Sequence, residues 1–270
     1  MVEPERCVSW GGGRPKFLAV ECDAVAAAYE ALAEGFRGME INVTPVDGKL
    51  MIGHWPEYVS DMSLEEWLRS VPQGNIEKLW LDTKLADPDA MDEALADLER
   101  LDGDFHLKGR VLVESSMVNP RIAKFAEHGW DVMYYFLPTR DSVSEDEACP
   151  PAIYRLVENK SGEEREYAPT QEELPQIHSY AEALAEHVQR QQVKSISFWA
   201  ECYPFLKEEV VPRIGTSMGL ATFAIPGMPR LSDPDFVQRF QADRHQALFT
   251  DGAVHTILLD PETLFGIRLD

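Results

Sequence analysis

What this sequence lacks narrows the field before any motif is read. Its four cysteines, Cys7, Cys22, Cys149 and Cys202, form no C-x-x-C pair and no zinc-finger spacing, and across 270 residues they are too sparse for a disulfide scaffold. Positive charge is scarce: 25 Lys and Arg face 47 Asp and Glu, for a formal net charge of −22. Such a surface repels nucleic acid and anionic membrane, which excludes both as bulk partners. Most of the excess acid reads as solubility or adaptation to a salty cytoplasm. An anionic small substrate would then need a local positive centre, a metal or a few basic side chains. No apolar run approaches the length of a membrane span. The opening MVEPERC is acidic and has no apolar segment, so no signal peptide is expected and a cytoplasmic location is. No internal repeat of fixed period is visible, and no histidine precedes His54.

What is present is an alternation of strand and helix signals. A hydrophobic content of 44% is ordinary for a globular chain with a sizeable core. Strands are expected at residues 7–10 (CVSW), 38–43 (GMEINV), 78–85 (KLWLDTKL), 110–115 (RVLVES), 131–137 (DVMYYFL), 194–201 (KSISFWAE), 219–225 (GLATFAI) and 254–259 (VHTILL). Helices fill the gaps: an alanine-rich run from Asp23 to Gly35, one capped by Ser63 with Glu66 three residues on, and one from Asp87-Pro88 through Arg100. Others run from Asn119-Pro120 to His128, from Gln171 to about Gln192, over 205–213, and onward from Asp233-Pro234. Asp47-Gly48 marks a turn into a short second hairpin strand over 49–52. Gly11-Gly12-Gly13, after the first expected strand, suits either close approach to an anion or a flexible loop. Eight strands with intervening helices make the expected fold α/β, a single (β/α)8 TIM barrel spanning 1–270, with a short hairpin after the second strand. An acidic insertion at about 140–175 follows the fifth strand, either as a lid over the site or as a loop without a role. An open doubly wound sheet is the alternative.

The chemistry concentrates between Gly35 and Leu85. Residues i and i+2 of a strand share a face, so Glu40 with Asn42, and Asp82 with Lys84, can point into one space, with His54 just past the hairpin. Barrel enzymes work at the C-terminal ends of their strands. That rule favours Glu40, Asn42, Asp82 and Lys84, and adds Glu114 on the fourth expected strand and Glu201 on the sixth. His255 begins the last strand, on the opposite end, and reads as structural; His106, His128, His178, His187 and His245 read as surface residues. Glu40, Asn42 and Asp82 are hard oxygen donors suited to Mg²⁺ or Ca²⁺ rather than zinc. A divalent ion and Lys84 would polarise a phosphoryl group, and His54 would move a proton near neutral pH. The competing reading is a buried Glu40–Lys84 ion pair. Trp55, Tyr58, Trp199 and Tyr203 either line an apolar part of the pocket or fill the core, and Cys202 reads as buried packing.

These residues carry a resemblance. Glu40 and the position of Asn42, Asp47-Gly48, His54 and then Asp82-x-Lys84 resemble, in order and spacing, the glycerophosphodiester phosphodiesterase-like (PLC-like phosphodiesterase) superfamily. The Asp82-x-Lys84 pair is similar to the spider-toxin phospholipase D branch and the menorin family, and HWPEYVSDMSLEEWL resembles menorin proteins in particular. The resemblance implies a barrel, Mg²⁺ or Ca²⁺ at Glu40, Asn42 and Asp82, catalysis by His54 and Lys84, and a small phosphodiester as substrate. Trp10, Glu114, Trp199 and Glu201 would line the substrate pocket. Two departures stand out. Asn42 replaces the Asp of most members, and the histidine that ends their first strand has no counterpart in VSWGGG, where Trp10 stands near its place. Three functions follow: a phosphodiesterase or phosphorus–oxygen lyase, a non-catalytic module binding a phosphorylated ligand, or an enzyme of another class, with Glu114 and Glu201 as paired carboxylates of glycoside chemistry.

Overall fold

The computed structural model describes residues 16–19, 22–33, 36–53, 59–83, 88–115, 122–136, 138, 149–157, 167–214, 218–223, 248 and 251–259. In chain order these form β1 (Lys16–Ala19), α1 (Val25–Ala33), β2 (Gly38–Val46), β3 (Lys49–Ile52), α2 (Leu64–Ser70), β4 (Lys78–Thr83), α3 (Pro88–Phe105), β5 (Val111–Ser115) and α4 (Ile122–Glu127). Then come β6 (Asp131–Phe136), α5 (Pro151–Val157), α6 (Leu174–Arg190), β7 (Ser195–Trp199), β8 (Gly219–Phe223) and β9 (Val254–Leu259). Between β7 and β8 the chain winds through a 3₁₀ turn (Ala200–Cys202), α7 (Tyr203–Phe205), a π turn (Leu206–Val210) and α8 (Val211–Ile214). No helix among the described residues is long and apolar enough to cross a membrane.

The strands form one curled sheet in the order β1-β9-β8-β7-β6-β5-β4-β2-β3. Eight of them run parallel; β3 alone is antiparallel, as the hairpin partner of β2. β1 pairs with β9 over its whole length and touches β2 once more, Ala19 opposite Met39. The first strand is therefore Lys16–Ala19; the strand expected at 7–10 lies outside the described residues. Both are four-residue runs, too short for periodicity to rank. Pairing with β9 sets Lys16–Ala19 beside the last strand, and the residues that follow it in sequence are Val20, Glu21, Cys22 and Asp23.

Alternation along each strand divides the apolar residues into two sets. Met39, Ile41, Val43, Leu79, Leu81, Val111, Val113, Val132, Phe136, Ile196 and Phe198 pack outward in the large core under the helices. Trp80, Leu112, Met133, Ala221 and Leu258 form a smaller cluster on the inner face, with Tyr135 against it. That inner cluster sits beneath the polar residues considered below.

Local signals act as their chemistry requires. Asp47 and Gly48, with φ of 49° and 77°, make the tight β2–β3 turn, which needs left-handed backbone at both central positions. Ser63 caps α2 through a reciprocal pair of bonds with Glu66. α3 buries Met91, Ala94, Leu95, Leu98 and Leu101 at helical spacing and runs beyond Arg100 to Phe105. His106, with φ of 53°, ends it. Of the insertion expected at 140–175, α5 and residues leading into α6 are described.

Candidate functional site

The middle of β2 and the C-terminal ends of β4 and β5 bring three polar residues into one row. Asn42 lies opposite Asp82, and Asp82 opposite Glu114, on adjacent parallel strands about 4.8 Å apart. Glu40 shares their face one step deeper. It is the third of nine residues of β2, so it sits in the first half of that strand and not the latter half expected from sequence. Glu40, Asn42 and Glu114 are 3%, 4% and 1% exposed, and Asp82 is half-buried. Burying carboxylates on neighbouring strands opposes folding through desolvation and like-charge repulsion.

Glu114 is clasped by Ser197, whose hydroxyl donates to Glu114 Oε1 in a short hydrogen bond and lies 3.3 Å from the Tyr134 carbonyl. Tyr135, on β6, takes a hydrogen bond from Trp199 Nε1 to its hydroxyl oxygen at 2.8 Å. Burial, and then the Glu114 carboxylate, push the Tyr135 phenol far above its ordinary range, so it stays protonated at any physiological pH. It therefore keeps its proton while its oxygen accepts from Trp199.

Asn42 has a partner that sequence reasoning missed. Asp23, just past β1, accepts from Asn42 N at 2.7 Å through Oδ1 and from Asn42 Nδ2 at 3.2 Å through Oδ2. The sequence reading placed Asp23 at the start of a helix; α1 begins at Val25 and the carboxylate turns to β2. Placing the first strand at 16–19 is the signal that would have found it, since Asp23 then follows a strand end. Tyr135 and Ser197 could have been found by carrying the period of two through DVMYYF and SISFW.

The remaining expectations divide. His54, Lys84, Trp10, Trp55, Tyr58 and His245 lie outside the described residues. Gly53, the residue before His54, donates from N to the Asn42 carbonyl at 3.0 Å, and Thr44 Oγ1 donates to the Gly53 carbonyl at 3.0 Å. Glu201 stands in the 3₁₀ turn after β7 rather than on the strand, because β7 ends at Trp199. Tyr203 faces the helices: its ring stacks on Phe198 and its hydroxyl donates to Asp251 at 2.7 Å. His187, expected at the surface, is half-buried with its ring 5.2 Å from that of Tyr134. Cys202 is fully buried, and burial pushes its thiol well above the ordinary range, which suppresses the nucleophilic thiolate.

The donor set suits a hard divalent cation in type: two carboxylates and an amide oxygen on one inner face. Among the described residues no three His, Cys, Asp or Glu side chains group closely enough to hold a metal ion, and the expected set contains two such residues plus Asn42.

The opposite end of the sheet is built differently. Lys78 Nζ donates to the Gly109 carbonyl at 2.7 Å and lies 3.8 Å from Asp131, which Lys194 reaches at 2.6 Å. A bulge makes His255 the extra residue between Val254 and Thr256. Its Nε2 lies 2.7 Å from Ser195 Oγ and its Nδ1 2.8 Å from Thr256 Oγ1. Burial, and next the Lys78 charge, lower the His255 pKa to about 4. The imidazole is neutral at pH 7.

No family model and no curated protein matches the chain. Solved structures do. A glycerophosphodiester phosphodiesterase from Parabacteroides distasonis superposes with a TM-score of 0.55 at 14% identity, over 94% of this chain and 97% of that one. A protein assigned as a glycerophosphoryl diester phosphodiesterase from Agrobacterium tumefaciens gives 0.55 at 11% identity, over 93% and 96%. Another so assigned, from Silicibacter pomeroyi, gives 0.53 at 12% identity, over 94% and 92%. At these identities the likeness is one of fold.

Proposed function

We propose that the whole chain is one (β/α)8 barrel of the glycerophosphodiester phosphodiesterase-like superfamily, near its menorin and spider-toxin phospholipase D branches, acting on a small phosphodiester such as a glycerophosphodiester. The observation that carries this reading is the row Asn42–Asp82–Glu114, its two ends buried, with Glu40 beneath it, on a fold shared with glycerophosphodiester phosphodiesterases. Acids gathered away from water on adjacent strands oppose folding, and a bound cation with an anionic substrate is a reason to keep them.

Glu40, Asn42 and Asp82 would hold Mg²⁺ or Ca²⁺. When bound, that ion supplies positive charge to a phosphoryl oxygen. Lys84, two residues beyond Asp82 in the sequence, stabilises the charge that builds on the phosphoryl group. His54 follows Gly53, which is tied to Asn42, and moves the proton. With no histidine before His54 to stand where the superfamily's first one does, the step proposed is internal. A hydroxyl of the substrate attacks phosphorus, His54 takes its proton, the bond to the leaving oxygen breaks, and that proton goes to the leaving alcohol. The products are a cyclic phosphodiester and an alcohol, and water is not consumed. Holding the substrate hydroxyl in line supplies the advantage of an intramolecular reaction. Trp199, hydrogen-bonded to Tyr135, would line the substrate pocket.

Turnover of a panel of small phosphodiesters by wild type, His54→Ala and Lys84→Ala is the test. The proposal expects conversion of at least one diester by wild type and none by His54→Ala; wild-type-like turnover in His54→Ala discards the mechanism. A second reading, a module that binds a phosphorylated ligand without converting it, draws on the lack of any histidine before His54. Retention of the same diesters unconverted would favour it. Glycoside chemistry is the weakest of the three, since Glu114 is clasped by Ser197 and Glu201 lies in the turn beyond β7.

A further inference from the structure

We infer that Asp23 is a positioning residue for the cation site: its carboxylate fixes which end of the Asn42 amide faces the inner space, and supplies from behind the negative charge that Asn42 lacks. The inference rests on the cation reading above and adds a residue to it.

The geometry begins where β1 ends. Cys22 N donates to the Glu40 carbonyl at 3.0 Å, the bond that a continuing strand beside β2 would make. Two residues further along β2 the next backbone donor is Asn42 N, and there the chain has turned away toward α1. Asp23 Oδ1 takes that N–H in place of a strand carbonyl. Its second oxygen, Oδ2, meets Asn42 Nδ2. The fully buried Trp67 indole donates to the Cys22 carbonyl at 3.1 Å, which holds the turn against α2.

A carboxylate only accepts hydrogen bonds, so the amide must present its NH₂ to Asp23. The Asn42 oxygen is then the end left for a cation, and the amide cannot turn over without setting oxygen against oxygen. The same contact explains why position 42 is neutral here. An aspartate at 42 would bring two carboxylates together where Nδ2 and Oδ2 now meet, and nearby like charges disfavour each other's ionised form. The two positions together carry one negative charge, in one arrangement.

Mn²⁺ binding to the full chain, followed by calorimetric titration and by the Mn²⁺ electron-spin signal, tests this without reference to turnover. Asp23→Asn is close to isosteric, and the introduced amide oxygen can still accept from Asn42 N. The introduced NH₂ then faces the Asn42 side chain, which reverses the Asn42 amide and turns a donor toward the cation. Mn²⁺ affinity should fall about ten- to a hundredfold, the usual consequence of losing a partner that orients a metal ligand. Asn42→Asp should weaken folding, and the double variant Asp23→Asn with Asn42→Asp, which restores complementarity with the charges exchanged, should recover Mn²⁺ binding. Wild-type affinity in Asp23→Asn overturns the role of Asp23 and leaves the cation reading intact. Absence of Mn²⁺ binding by the wild type overturns the cation reading and this inference with it. Where Asp23→Asn does not fold, the double variant decides: folded and Mn²⁺-binding supports the inference, folded without binding overturns it.

Discussion

The two ends of the curled sheet treat buried polar groups in opposite ways. At the N-terminal end, Lys78, Asp131 and Lys194 alternate in sign, and neutral His255 bridges Ser195 and Thr256. Toward the C-terminal end, Asp82 and Glu114, with Glu40 one step deeper, carry one sign of charge, and Asp23 stands behind Asn42. Compensated groups stabilise a fold. A cluster of one sign opposes it, and such clusters persist where a ligand supplies the opposite charge. The contrast teaches that polarity alone does not mark a site; what distinguishes the proposed site is a single sign of charge.

The largest effect is expected at the acidic end. Glu40→Gln and Asp82→Asn should lower turnover by about a hundredfold or more, the size seen when a group stabilising the transition state is removed. They should leave the unfolding midpoint unchanged or raise it, because neighbouring strands then repel less. Equal losses of activity and stability would erase the contrast between the two ends.

At the other end the expected effects fall on stability. The folded-state pKa of His255, about 4, lies below the ordinary 6.5. Between those values the unfolded chain binds a proton that the folded chain excludes. The contribution of neutral His255 is intact above about pH 6.5 and is lost as pH falls toward 4, by up to about 3 kcal/mol. Denaturant unfolding of wild type and His255→Gln across pH 7 to 4 should show their difference changing over that window. A constant difference would contradict the lowered pKa. Gly219→Ala should destabilise by about 1–3 kcal/mol, since its Cβ would meet His255 Cδ2 at 2.5 Å and Ser195 Oγ at 2.7 Å. Thermal unfolding measures it, and an unchanged midpoint would show that His255 yields easily. Smallest of all, Lys194→Ala should cost under about 1 kcal/mol, because Lys194 is 68% exposed beside Asp131.

Much of the fold was legible because strand and helix signals are strong from Gly38 onward: the Asp47-Gly48 turn, the Ser63 cap and the acidic positions all follow from local chemistry. The start of the chain was not. The strand expected at 7–10 rested on a short run, and the strand Lys16–Ala19 shows itself only through its pairing with β9. Without that strand Asp23 stayed hidden, since its part depends on a contact with Asn42, 19 residues away. Tyr135 and Ser197 were hidden differently: both are ordinary strand residues until β5, β6 and β7 stand side by side. Glu201 was misjudged because FWAE reads as one strand, while the backbone turns after Trp199.

The most direct measurement is turnover of a small glycerophosphodiester by the full chain, first with divalent cations removed by chelation and then with Mg²⁺ or Ca²⁺ restored. The acidic end as a cation-assisted phosphodiester site predicts that activity vanishes on chelation and returns with the metal. Activity indifferent to chelation, or no conversion with either cation, would contradict it.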